Sequence, residues 1–504
     1  MKTIFTIFLF YITLSYSHEM CHPISMNCHE GFDHHHCHSV EVFSDFNILK
    51  SCKHIMEDIH EIFFNGNGTT IEIEEDSYLP EKIVIRPNAT VTIKTPKFIT
   101  SKEFVVATNS TFFTDELVTK GTIVELNGKM IIQKNITFDK ETHLRMGPNA
   151  FMKTVVGDVK VNGNSTVTGN VYCEFEIGNN FVVNDDSKVY FSKKNIFKAN
   201  YQLILNDNAV MIFGVNNIIN MTEQFISVFE NSKLTIGENS IVRANQIYFY
   251  LNSLGIVEDS CHINVQGILL FQNAYLKMKN NIILRLQTAI MTYNKSILEM
   301  GIFTGLTANV WNVMYSTSVS IGDYSTIRLN TLTLDNSAEM KLGKNVTFFV
   351  SGKTLDKSCS ETKETSFLCQ SLLLRGSSKL VIDNVENAKP VFYIQYGDVV
   401  QWNTTTIELM NKTLPCIDLF TFKETFEYPN SVDKKEYHLM CDKKLGRYCI
   451  GEKQEKVVCS PGYYHCPCGD VKVNNEKPVP NNQNEKNDKK DKKKKDKKGE
   501  KKEL

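Results

Sequence analysis

The sequence predicts an all-β fold, a parallel β-solenoid with coils of about 21–22 residues, closed by an N-terminal helical and disulfide-bonded cap and a C-terminal Cys-rich cap. Three observations carry that expectation. A short unit such as NSKLTIGEN, residues 231–239, recurs along the chain. An apolar-x-apolar-Gly-x-Asn signature closes many of its copies. The copies are rich in Val, Ile, Thr and Phe and punctuated by Asn and Gly, which favours strands over helices.

The unit starts with Asn or Asp, then a small residue, then apolar residues two apart. It reads NATVTI at Asn88, NSTFF at Asn109, NSTVTG at Asn164, DSKVYF at Asp186, NAVMIF at Asn208, NSKLTI at Asn231 and NAYLKM at Asn273. Its first apolar residues are Val91, Phe112, Val167, Val189, Met211, Leu234 and Leu276, separated by 21, 55, 22, 22, 23 and 42 residues. The series continues at Leu298, Val319 and Met340 in steps of 22, 21 and 21. The closing signature occurs at Leu144 (LRMGPN), Phe175 (FEIGNN), Met211 (MIFGVN), Leu234 (LTIGEN) and Met340 (MKLGKN). Glycine and asparagine both tolerate positive φ, so the signature is expected to bend the chain sharply after a short strand.

Period-two alternation puts Leu234 and Ile236 on one face and Thr235 on the other. A unit this short cannot bury its own apolar face, whereas stacked copies share one continuous core. An antiparallel sandwich, with turns every 8 to 12 residues or so, is the competing architecture. One coil per ~21 residues over residues 69–384 corresponds to about 15 coils and a stack roughly 70 Å long.

Flanking the repeats, residues 1–17 have the layout of a secretory signal peptide, with Lys2, an apolar run over residues 4–14 and the small residues Ser15 and Ser17. Residues 18–67 form a His- and Cys-rich segment. Within it Ile48, Ile55, Ile59, Ile62 and Phe63 fall at helical spacing, behind Ser44 or Asp45 as N-cap, which predicts a capping helix over residues 45–64. The solenoid occupies residues 68–385 and a Cys-rich region residues 386–470. Residues 471–504 form a Lys-rich tail, too poor in apolar residues to order itself.

The coil length and Asn-rich turns resemble those of the pectin-lyase-like superfamily of right-handed β-helices. That resemblance implies a polysaccharide-acting alternative, with Asp185 and Asp186 of VNDDSKV as its paired carboxylates. The Gly-His-Gly and Arg-x-Lys patterns of the superfamily's hydrolases are missing, and His143 and His262 stand alone. A corner role for Asp186 is the simpler reading.

Fourteen cysteines imply disulfides if the chain enters an oxidising compartment. Candidates are Cys21, Cys28, Cys37 and Cys52 at the amino end, and Cys359, Cys369, Cys416, Cys441, Cys449, Cys459, Cys466 and Cys468 at the carboxyl end. Sequence alone does not define their pairing. Cys173 and Cys261 lie about four coils, ~19 Å, apart and are expected not to bond each other. Ten sequons mark glycosylation candidates at Asn67, Asn88, Asn109, Asn135, Asn164, Asn220, Asn294, Asn345, Asn403 and Asn411.

HEGFDHHHCHS concentrates His34, His35, His36 and His38 beside Cys37, a metal candidate set against a solvated loop. CSPGYYHCPCGD, with Cys459, Cys466 and Cys468, resembles the small Cys-rich modules beside surface-receptor ectodomains, and the plain expectation is a disulfide staple. The final Lys501, Lys502, Glu503 and Leu504 resemble KDEL-type retrieval signals, departing by Lys at the Asp position. They imply an endoplasmic-reticulum lumen resident, against secretion as the other fate.

The net charge of -1 conceals a tail with a surplus of six positive charges, and no nucleic-acid partner is implied. No cofactor signature and no apolar run long enough to span a membrane occurs. The leading expectation is a non-enzymatic secretory-pathway glycoprotein whose solenoid displays a surface for a protein or glycan ligand.

Overall fold

The structure, a computed structural model, describes residues 20–21, 39–48, 59–74, 79–100, 102–221, 224–351, 370–383, 391–394, 398–401, 405–409, 416–418, 420–422 and 447–449. The chain forms a parallel β-solenoid, and no helix occurs among the described residues. Most coils contribute three strands, as in Lys129–Ile132, Ile136–Asp139 and His143–Met146. The first two join a 28-stranded sheet and the third an 18-stranded sheet. Each strand pairs in parallel with its equivalent one coil on, Lys129 with Phe151, Ile136 with Val159 and His143 with Thr166.

The three resulting ladders are termed faces 1, 2 and 3 in chain order. In Ile241–Phe249, His262–Leu270 and Ile283–Thr292 a single bent strand serves faces 1 and 2 together. Fourteen rungs of face 3 run from Lys82–Ile85 to Lys379–Ile382, with further rungs at both ends. A second unit, Asp470–Leu504, lies wholly outside the described residues, as do the proposed leader, residues 29–38 and Cys459, Cys466 and Cys468.

Alternation builds the core. Val167, Val189, Met211, Leu234, Leu276, Leu298, Val319 and Met340 are all buried and occupy one column of face 3. Each such side chain contributes about 1.5–3 kcal/mol by burial. The irregular sequence steps now have causes. The step of 55 changes ladder, because Val91 and Phe112 pair on face 1 whereas Val167 belongs to face 3. The step of 42 passes over Gly255, which stands between Leu234 and Leu276 in the column. A Cβ at Gly255 would lie 2.5 Å from the Phe249 ring, so that ring fills the space the missing side chain leaves.

The helix expected over residues 45–64 is contradicted at both of its ends. Phe46–Ile48 pairs with Asn67–Ile73, and Glu61–Phe64 lies between Ser39–Val42 and Lys82–Ile85. Ile62 and Phe64 are buried while Glu61 and Phe63 are half-exposed, a period of two. Stacking on a neighbouring rung buries apolar area that an amphipathic turn would leave on the surface, and Phe63 also receives the Arg86 guanidinium, 4.0 Å from its ring centroid. Residues 49–58, with Cys52 and Ile55, lie outside the described residues.

The closing corner, from face 3 to the next coil, explains the Gly-x-Asn signature differently from its sequence reading. Asn149, Asn216, Asn239 and Asn345 take the left-handed conformation, with φ of 61, 58, 56 and 54°. The glycines are needed for close approach instead. A Cβ at Gly214 would sit 1.8 Å from the Ser192 carbonyl, and one at Gly237 2.3 Å from the Gly214 carbonyl.

Inside the same corner runs a column of small polar residues. The Cys173 N–H donates to Asn195 Oδ1 at 2.7 Å, the Asn195 N–H to Asn217 Oδ1 at 2.7 Å, and the Asn217 N–H to Ser240 Oγ at 3.2 Å. Cys173 and Cys261 belong to this column. Both are buried and free, and each donates its thiol to a glycine carbonyl one coil below, Gly147 or Gly237, at 3.1 Å. Ser240 and Ser325 do the same towards Gly214 and Gly301. The interior cysteines are thus serine-like corner residues. Burial pushes both thiols up from an ordinary 9.0 to about 11.

Cys416–Asp418 and Arg447–Cys449 form an antiparallel pair in which Cys416 and Cys449 are register partners. Cα atoms at such positions are ~4.5–5.5 Å apart, within disulfide range.

Three outcomes are expected. Gly214→Ala should cost about 1–3 kcal/mol in denaturant unfolding, whereas Cys173→Ser should lie within about 1 kcal/mol of the parent. A thiol protonated in the fold and ionised in the unfolded chain withdraws stability as pH rises from about 9 through about 11. The Cys173→Ser, Cys261→Ser double variant should therefore lose less stability than the parent over that window. Non-reducing peptide mapping of chain made in a secretory pathway should recover a Cys416–Cys449 cross-link.

Candidate functional site

Outward residues of face 3 line a recess. Glu125, Arg145, Thr168, Tyr190 and Ile212 follow one another in register on consecutive rungs. Beside them Asn127, Gly147, Asn170, Ser192 and Gly214 turn into the closing corner, and the two rows line an open groove of about 700 Å³. Thr168 fixes its hydroxyl by donating to the Leu144 carbonyl at 3.1 Å, and Tyr190 leaves 36 % of its surface exposed.

Chemically the groove presents one carboxylate, one guanidinium, amides and an aromatic ring. A second recess of about 830 Å³, between Thr92–Pro96 and Phe113–Asp115 as numbered along residues 92–134, is lined by one carboxylate, Asp115, which pairs with Lys134 at 3.5 Å. Hydrolysis of a glycosidic bond ordinarily uses two carboxyl groups about 5–9.5 Å apart. Neither recess has a pair.

The carboxylates singled out in sequence lie elsewhere. Asp185 and Asp186 are exposed in the corner before face 3. Asp185 is left-handed, φ 57°, accepts the Gly163 N–H at 2.8 Å and donates its own N–H to Asp207 at 3.3 Å. It is Asp185, therefore, that takes the left-handed corner conformation. Among the described residues no group of three or more His, Cys, Asp or Glu side chains is placed to hold a metal ion, and His34, His35, His36 and His38 lie outside them.

The same corner carries two ladders in series. Asn184 donates to Asn162 at 2.7 Å and Asn206 to Asn184 at 2.9 Å. From the next coil aromatic rings take over. Phe229, Tyr250, Phe271 and Tyr293 stack with centroids 5.1–5.2 Å apart and planes within 4–9° of parallel, and Tyr315 follows at 6.2 Å. Burial in the stack pushes the Tyr250 and Tyr293 hydroxyls up. Within the stack each ring face is covered by its neighbour, which braces the corner, and Tyr315 at its end is 49 % exposed.

Surface charges also run along the axis. Lys82 lies between Glu61 and Glu103, at 3.6 and 3.3 Å, and Lys198 reaches Glu174 and Glu176 at 2.6 and 2.9 Å. Hydrogen bonds from Lys198 and Lys153 hold Glu176 below its ordinary range.

Asn88, Asn109, Asn164, Asn294 and Asn345 are left-handed corner residues, and all but the half-buried Asn345 are exposed. At Asn88, Asn109, Asn164 and Asn345 a buried residue follows and a Thr then opens the next strand. Corner geometry itself therefore writes Asn-x-Thr. Asn67 is exposed, whereas Asn135 accepts the Asp158 N–H at 2.9 Å and Asn220 is half-buried on face 1. Asn403 and Asn411 lie outside the described residues.

Comparison with protein-family models, curated proteins and solved structures yields no match. The groove residues went unread in the sequence. Their signal is the middle position of apolar-x-apolar, where Arg145, Thr168, Tyr190 and Ile212 stand in LRM, VTG, VYF and MIF.

If Asp185 is a corner residue, Asp185→Ala loses a carboxylate that satisfies the Gly163 N–H. Its expected effect is a destabilisation of about 0.5–1.5 kcal/mol in urea unfolding, because the bond is exposed and water can replace the carboxylate, with the circular dichroism spectrum of the native chain unchanged.

Proposed function

We propose that the chain is a non-enzymatic, secretory-pathway β-solenoid scaffold that binds an extended glycan along the face 3 groove. One observation carries the reading. Polar side chains on the long faces repeat in single file with the coil rise of ~4.8 Å and do not converge on a point, an arrangement suited to gripping a polymer along its length. Tyr190 supplies an exposed ring for the C–H face of a sugar, and Arg145, Glu125 and Asn127 supply donors and acceptors for its hydroxyls. Among the described residues nothing stands above the open groove to exclude water from a reacting bond.

The secretory compartment belongs to the same proposal. It is supported by the leader-like residues 1–17, by sequons at exposed corners and by register-paired Cys416 and Cys449. No helix among the described residues is long and apolar enough to cross a membrane. Retrieval by Lys501, Lys502, Glu503 and Leu504 would make the scaffold a lumenal one.

A glycan array read with the purified chain, followed by calorimetry on the best ligand, tests the idea. Tyr190→Ala and Arg145→Ala are each expected to weaken binding about tenfold or more, while Asp185→Ala leaves it unchanged. Affinity indifferent to both groove substitutions would remove this reading.

A further inference from the structure

The upper coils of face 1 carry a row of arginines. Arg243, Asn264, Arg285, Thr307 and Arg328 are register partners on five consecutive rungs, and all five are exposed. The chain has seven arginines in all, and three of them stand at alternate positions of this one column. The face 1 stretches concerned, residues 241–244, 262–265, 283–286, Gly305–Thr307 and Thr326–Leu329, hold no carboxylate. Among the described residues none of the three guanidiniums has an acidic partner, and Arg328 lies over the Phe349 ring at 5.8 Å. Lower on the same face, by contrast, Lys153 and Lys198 are paired with Glu174 and Glu176. Carboxylates of the adjoining closing corner are engaged there: Glu258 pairs with Lys279, and Asp259 and Asp323 accept the Asn280 and Lys344 N–H groups at 2.7 Å. At that border Phe303 and Tyr324 hold the left-handed conformation, φ 55 and 56°, that Asn239 and Asn345 hold on other coils, and 53 and 46 % of their surfaces are exposed. Sterics disfavour a bulky side chain in that conformation, so exposed rings there point to a use beyond folding. The sequon at Asn220 lies one rung outside the row.

We infer that this column binds a linear acidic glycan carrying one carboxylate or sulfate per disaccharide. Charge selects an anion, and a guanidinium grips one through two parallel N–H bonds. Spacing selects the polymer. Alternate rungs put the arginines about 10 Å apart. A 1,4-linked pyranose advances roughly 5 Å, one six-membered ring plus a bridging oxygen at covalent bond lengths, so a charge on every second sugar recurs at the same interval. Side chains on one side of an extended peptide recur at about 6.7 Å, and the phosphates of a nucleic-acid strand at about 3.4 Å of axis, so both fall out of step. Asn264 and Thr307, each between two arginines, meet the uncharged sugar of the repeat and exchange hydrogen bonds with its hydroxyls. Phe303 and Tyr324 add aromatic surface for a sugar's C–H face at the border. A polyproline-II peptide with a carboxylate at every third residue repeats at about 9.3 Å and is the competitor to be separated by experiment. The site lies on face 1 and does not rest on the face 3 groove.

Calorimetry of the full chain with two hexasaccharides is the test: one of hyaluronan, with a carboxylate per disaccharide, and one of keratan sulfate, with sulfate and no carboxylate. The expected result is binding of at least one, weakening between about 0.05 and 0.5 M NaCl, with the tighter of the two naming the anion. An Arg243→Gln, Arg285→Gln, Arg328→Gln chain should bind about tenfold or more weakly. An Asn264→Arg, Arg285→Asn chain keeps composition and net charge but breaks the alternation, and the same loss is expected of it. All substituted side chains are exposed, so the urea midpoint of each variant should match the parent and show the column still folded. The Lys-rich tail is identical in every chain, so a difference between them reports the column. Failure to bind either hexasaccharide overturns the inference. So does undiminished binding by the triple variant or by the rearranged one, or tighter binding of a Glu-Pro-Pro repeat peptide than of both glycans. Tyr190→Ala should leave this binding unchanged, which keeps a failure here distinct from a failure of the groove.

Discussion

Everything in this fold depends on the corners. A parallel strand pair has no hairpin to set its register, and a slip of one residue would turn an entire apolar rung outward. The closing corner prevents that slip. Glycine lets the backbone of one coil approach the next at distances that exclude a Cβ, as at Gly214 and Ser192. Left-handed Asn then reverses the chain, and a small buried residue receives the next coil's hydrogen bond. Because each rung begins at a corner of fixed construction, Val167 stands beside Val189 and Val189 beside Met211, and the core follows.

The same construction governs the polar surface. Backbone groups are satisfied along the axis, and side chains copy the direction in ladders of Asn, of aromatic rings and of alternating Lys and Glu. These contacts tie neighbouring coils together, yet pairs such as Lys153 and Glu176, being partly exposed, each contribute only about 0–1 kcal/mol. Faces 1 and 3 carry such pairs while the middle of face 2 has none. The three faces therefore meet solvent and partners on different terms, although one repeat encodes them all.

Much of this was legible in the one-dimensional pattern. The period, the strand character and the parallel stacking follow from Asn-small-x-apolar-x-apolar, and the separation of Cys173 from Cys261 follows from the period alone. The helix over residues 45–64 was misread because Ile48, Ile55, Ile59, Ile62 and Phe63 fall at helical spacing, whereas the chain uses Ile48, Ile62 and Phe63 in two separate short strands, the second of which buries Ile62 and Phe64 in alternation. Only the presence of a neighbouring rung decides between them. The glycines were assigned to positive φ because their close contacts are with residues 22 or so positions away, invisible to local geometry.

The amino-acid sequence by itself determined the coil length and the inward residue set, because both reside in spacing and side-chain type. Tertiary structure alone decided that Glu125, Arg145 and Tyr190 share a groove, that Asp185 serves a corner, and that face 2 strands carry no charge over seven rungs. The reason is physical: outward residues make no contribution to the core and so carry no periodic signature, and their chemistry becomes collective only when stacking brings positions a full coil apart to within about 5 Å.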